Sequence, residues 1–141
     1  MNALNTFNDY FEAFEETYVD DNWARIAPFF ADGMTYLNAE GTPLEGRAAA
    51  VDYLEGAVNA LDRRFDSRTF DGTPDITAAG DEVTLRFTVR YRKAGLDDLV
   101  ISGQEVATIR EGQIQHLEDR FDAATLQRFE AWMAEHGALL A

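Results

Sequence analysis

Residues 99–122 read LVISGQEVATIREGQIQHLEDRFD, two apolar-rich runs on either side of Glu111-Gly112. Strand side chains alternate, so Leu99, Ile101, Gly103, Glu105, Ala107 and Ile109 share one face of the first run. All of these suit a core except Glu105. Burying a charge is costly unless it is paired or neutralised, so this carboxylate marks a functional position. The register of the second run decides which acid meets it. A two-residue turn at Glu111-Gly112 pairs Ile109 with Ile114, sets Glu105 opposite Glu118, and turns His116, Glu118 and Arg120 inward. A three-residue loop over 110–112, with Gly112 left-handed in a bulge, pairs Ile109 with Gln113 and turns Gln115, Leu117, Asp119 and Phe121 inward. A slip of one residue exchanges the faces. The second set is the better core. It makes Glu105 and Asp119 diagonal neighbours, with Cβ atoms roughly 7–8 Å apart.

Upstream of the hairpin, Val83, Leu85, Phe87, Val89 and Tyr91 alternate with Thr84, Arg86, Thr88, Arg90 and Arg92, the cleanest strand pattern in the chain. Residues 64–76 predict one long, irregular strand, with Gly72 and Pro74 marking a bulge or an edge. Residues 34–38 predict a short strand on which Met34, Tyr36 and Asn38 share a face. Four helices are expected. The first covers residues 4–18, with a stripe of Leu4, Phe7, Phe11, Phe14 and Tyr18 and with Tyr10 beside it. A shorter one starts near Trp23, capped within Asp20, Asp21 and Asn22 and ended or kinked by Pro28. The third covers residues 47–61, burying Val51, Leu54, Val58 and Leu61. The last is capped by Asp122 and buries Leu126, Phe129, Trp132, Met133 and Leu140. Strands in succession joined by short turns imply a mostly antiparallel sheet with helices grouped on one face, an α+β fold.

The chain has 141 residues, enough for one domain over 1–141 with a sizeable core. Its formal net charge of -14 argues against nucleic acid or an anionic membrane as partner, since both call for basic footprints. There is no cysteine, and His116 and His136 show no metal-ligand spacing. No phosphate-binding glycine loop or nucleophile elbow is present. The acidic start, MNALNTFNDYFEAFEE, lacks the basic segment of a secretory signal, which predicts cytoplasmic residence.

The passage WARIAPFFAD over 23–32, the Gly46-Arg47 start of the third helix, the Glu111-Gly112-Gln113-Ile114 turn and the ending EDRFD over 118–122 carry a resemblance. The chain resembles the nuclear transport factor 2-like superfamily, which includes SnoaL-like polyketide cyclases, ketosteroid isomerases and limonene-epoxide hydrolases. The resemblance implies a cone-shaped, strongly curved, mostly antiparallel sheet. Its helices would pack on the concave face around a pocket, and homodimers would form through the outer face. By the spacing of ketosteroid isomerases, Phe14 stands where a tyrosine of the oxyanion hole belongs and Asn38 where the base belongs, while Glu105 matches the second acid. Against limonene-epoxide hydrolases, Tyr36, Asn38 and Asp119 match, whereas Phe87 and Val89 stand at the remaining Arg and Asp positions.

Together these readings predict a pocket for a small hydrophobic, carbonyl-bearing molecule, used without cofactor or metal by an isomerase- or cyclase-type enzyme. Glu105 and Asp119 would be the catalytic acid and base. Tyr36 and Asn38 would orient substrate or water, and Phe14, Phe87, Val89, Leu117 and Phe121 would line the apolar wall. Val100, Val106 and Ile114, with the Thr and Arg side chains of the 83–91 strand, would form the outer, dimerising face. A non-catalytic ligand-binding module and a dimerisation module with a filled interior are the alternatives.

Overall fold

The computed structural model describes residues 2–140. Helix α1 (Ala3–Asp20) starts where the Asn2 side chain accepts a hydrogen bond from the Asn5 amide, satisfying one of the free N–H groups of a helix start. Its aromatic stripe faces the core, with Phe7 and Tyr10 buried and Phe11, Phe14 and Tyr18 packed beside them. The second helix expected near Trp23 is instead two short 3-10 turns, Trp23–Arg25 and Ala27–Phe29. Asn22 makes no side-chain cap, and Pro28 sits at the start of the second turn, so no α-helical ladder can run through.

The chain continues through β1 (Phe30–Leu37), β2 (Pro43–Glu45), α2 (Arg47–Ala60), β3 (Ser67–Phe70), β4 (Asp75–Ala79), β5 (Glu82–Arg92), β6 (Leu99–Arg110), β7 (Gln113–Arg120) and α3 (Ala123–His136). The strands form one sheet in the order β2-β1-β7-β6-β5-β3, with β4 also on β5. The β1–β7 pair is parallel and the other pairs are antiparallel. The fold is therefore α+β with a mixed, mostly antiparallel sheet. The long strand expected over 64–76 is divided into β3 and β4, which pair with opposite halves of β5. Gly72, at φ +77°, and Pro74 lie in the break between them. The strand β2 has no counterpart in the sequence reading, being too short to show a period. In α3, Thr125 and Trp132 are buried, whereas Leu126 is exposed, because the helix presents a neighbouring stripe to the sheet.

The 99–122 hairpin takes the tight turn of one expected geometry and the inward-facing set of the other. Glu111 (φ 54°) and Gly112 (φ 74°) are both left-handed, as a two-residue turn of type I′ requires. Ile109 accordingly pairs with Ile114. The register then shifts by one residue: Thr108 pairs with His116, leaving Gln115 as the extra residue of a bulge. Beyond it, Ala107 faces Leu117, and Glu105 faces Asp119 directly rather than diagonally. The three-residue loop does not occur. Ile114, expected on the outer face, is fully buried with Ile109 in the core, and Val106 is buried as well.

Candidate functional site

A cavity of about 680 Å³ lies between the inner face of the sheet and the helices. Successive inward residues of β5 form its floor: Leu85, Phe87, Val89 and Tyr91. From β6 and the end of β7 come Ile101, Glu105, Asp119 and Phe121, while α1 supplies Tyr10, Phe14 and Glu15. Gly103, opposite Phe87, is required here. An added Cβ would lie 2.4 Å from the Phe121 ring, so the missing side chain lets that ring cover the strand and meet Phe87 edge-on, centroids 6.2 Å apart.

At one end, Glu105 and Asp119 hydrogen-bond to each other, and the Tyr36 hydroxyl donates a hydrogen bond to Asp119 Oδ2. Burial pushes the Glu105 carboxyl well above the ordinary range, and the charge of Asp119 and the proton it donates to Asp119 raise it further. Burial also raises Asp119, but the hydrogen bonds from Tyr36 and Glu105 pull it back. The pair therefore shares one proton, carried by Glu105, while Asp119 is the acceptor. Tyr36 and Tyr10 are held as neutral phenols by burial and by the same two acids. Both acids keep some accessible surface because they face the cavity, although protein surrounds them.

Of the expected wall residues, Phe14, Phe87, Val89 and Phe121 line this cavity with Tyr36. Two expected site residues do not. Leu117 is fully buried in the core behind the acids. Asn38 is buried, and its Oδ1 accepts hydrogen bonds from the Glu40 and Thr42 amides at 3.0 and 2.9 Å. It thereby fastens the turn into β2, using the short-range backbone bonding typical of an Asn side chain. The sequence reading missed Tyr10, Tyr53 and a second polar group of Glu15, Asp62, Arg68 and Tyr91 at the other end of the cavity. Tyr10 was visible as the polar-tipped member of the α1 aromatics. Nothing local marks the second group, since its members come from four separate segments.

The SnoaL-like domain family matches residues 7–117. The chain belongs to that family. No curated protein matches the sequence. Among solved structures, a nuclear transport factor 2-like protein of unknown function from Burkholderia pseudomallei is similar at 16% identity and TM-score 0.69, covering 91% of this chain and 96% of that one. An LEH-like epoxide hydrolase of Mycobacterium tuberculosis is similar at 19% identity and TM-score 0.62, covering 98% and 94%. TerC, crystallised with polyporic acid, is similar at 17% identity and TM-score 0.63, covering 89% and 98%. At these identities the likeness is one of fold, and one fold of this kind hosts many activities. Among the described residues, no helix is long and apolar enough to cross a membrane.

Proposed function

We propose that this SnoaL-like chain, as one cytoplasmic domain over residues 1–141, is a cofactor-independent isomerase- or cyclase-type enzyme acting on a small hydrophobic carbonyl compound. The observation that carries this reading is the Glu105–Asp119 pair with Tyr36, set in a cavity whose walls are otherwise largely apolar. The cone-shaped curvature implied by the family resemblance would wrap the sheet around such a substrate. Asp119 is the base. An ionised carboxylate has about four lone-pair sites, so two incoming hydrogen bonds leave room to accept a proton from the carbon next to the carbonyl. Glu105, which holds the shared proton, and Tyr36 each have a single O–H, which turns from Asp119 to the carbonyl oxygen when substrate binds and donates to it as charge develops. The C–H bond breaks, its electron pair moves to the carbonyl oxygen as an enolate, and return of the proton at another carbon completes an isomerisation. Phe14, Phe87, Val89 and Phe121 exclude water and hold the apolar body.

The test is exchange of carbon-bound hydrogen for solvent deuterium, followed by NMR over a panel of aromatic and alicyclic ketones. A ketone that exchanges with wild-type protein should do so about 10²–10⁴-fold more slowly with Asp119→Asn or Glu105→Gln. Unchanged exchange in both variants would sink the assignment. Tight binding without any exchange would instead identify a ligand-binding module.

Homodimerisation through the outer sheet face belongs to the same proposal. That face carries Thr88, Ser102, Gln104, Arg86 and Arg120 around an open depression of about 630 Å³. Sedimentation at micromolar concentration should give twice the 15.8 kDa chain mass, and a monomer there would end the dimer reading.

A further inference from the structure

The far end of the cavity holds a half-buried carboxylate with little to hold it. Asp62 is 15% exposed at its side chain, yet its two polar contacts are both long: 3.4 Å to Arg68 Nε and 3.3 Å from the Tyr91 hydroxyl. Arg68 spends its better geometry on Glu15, at 3.0 Å and 3.4 Å, and its Nε has no hydrogen-bond partner. Its guanidinium also lies over the Tyr18 ring, 4.8 Å from the centroid. A half-buried acceptor whose two protein contacts are long can take a further donor. Asp62, Arg68 and Tyr91 all line the cavity, so that donor can come from a ligand.

The floor fixes the spacing. Glu105 pairs with Leu85 and Leu99 pairs with Tyr91 on the same strand, so six residues of β5 separate the two polar ends. At strand rise this is roughly 20 Å of backbone, shortened by side chains reaching inward from both ends. Phe87 and Val89 lie between, with only apolar surface to offer. The arrangement suits an elongated molecule with an apolar middle and a polar group at each end. An anionic group at the far end would face Glu15 and Asp62. An ammonium would face Arg68. A neutral hydroxyl meets neither penalty: it donates to Asp62, and its oxygen accepts from Arg68 Nε.

We infer that the Asp62–Arg68–Tyr91 end of the cavity is a specificity subsite for a hydroxyl or phenol carried at the opposite end of the substrate from its carbonyl. This rests on the carbonyl-end reading above for its orientation. Burial raises the Asp62 carboxyl to about 6, consistent with an under-solvated group that gains from a donor.

Three biphenyl probes separate the two ends by calorimetry. The first carries an aldehyde on one ring and a para-hydroxyl on the other, the second lacks the hydroxyl, and the third lacks the aldehyde. The first should bind about tenfold more tightly than the second, the value of one well-made buried hydrogen bond. Asp62→Ala, which removes the acceptor, should bring that ratio several-fold closer to one, whereas Tyr91→Phe, which removes a competing donor to Asp62, should not lower it. A ratio near one in wild type, a ratio unmoved by Asp62→Ala or lowered by Tyr91→Phe, or no binding of any probe would overturn the subsite. Equal affinity for the first and third probes, with the hydroxyl preference intact, would overturn the carbonyl end and leave the subsite standing.

Discussion

At one end of the cavity Glu105 and Asp119 face each other, and among the described residues neither forms an ion pair; at the other, Asp62 and Glu15 share Arg68. Both ends bury acids that the hydrophobic interior would otherwise reject, but they neutralise them by different means. A shared proton is mobile: it can be lent to a substrate and taken back. A guanidinium keeps its charge at any pH the fold survives, so Arg68 can recognise a ligand group but cannot lend it a proton. Under the proposed function, proton transfer belongs to the Glu105 end and selection to the Arg68 end.

The strongest way to break that contrast is to remove the cation. Arg68→Met keeps the apolar stem and leaves Asp62 and Glu15 with no counter-charge. Losing one partner of a buried pair should cost about 3 kcal/mol, read as a lower urea midpoint at neutral pH. The loss should shrink at pH 5, where Asp62, with its pKa raised to about 6, is protonated. A midpoint unchanged at neutral pH would mean that solvent screens this end as it does a surface pair.

The two ends also differ in how far a sequence discloses them. Glu105 stands out because five apolar or small residues share its face and a period-2 pattern leaves it no other place. Most of the α+β order follows from such periodicities and from the Asp122 cap, whose side chain accepts from the Thr125 amide at 2.7 Å; β2, the 3-10 turns after α1 and the break between β3 and β4 do not. The preference for Leu117 and Phe121 inside puts Asp119 on the inner face, but through a three-residue loop that the structure replaces with a tight turn. A bulge at Gln115 achieves the same exchange of faces after a tight turn. Such a bulge has no residue signature beyond an ordinary glutamine. Asn38 misled for a related reason, since a polar side chain on an inward face can serve its own turn as readily as a ligand. The Arg68 end could not be assembled at all. Glu15, Asp62, Arg68 and Tyr91 belong to a helix, a 3-10 turn and two strands that meet only in the folded chain.

A finer test asks whether the Glu105 end holds a proton. The Glu105 carboxyl is raised in the fold, first by burial and then by Asp119. A raised carboxyl pKa means that the native state binds the proton more tightly than the unfolded chain. Its contribution to stability is therefore full below the unfolded value of about 4.3 and is lost as the pH climbs through the folded value. Glu105→Gln replaces the titrating O–H with an amide that donates to Asp119 at every pH. Near pH 4.5 the variant and the wild type should differ little. By pH 9 the variant should be the more stable by about 1 kcal/mol or more, since each unit of pKa shift is worth about 1.4 kcal/mol. Asp62 titrates in both proteins and cancels in the difference. The measurement is the gap between the two thermal midpoints across that range. A gap that stays constant would mean that no proton is shared between Glu105 and Asp119, and the distinction between a mobile-proton end and a fixed-charge end would fall with it.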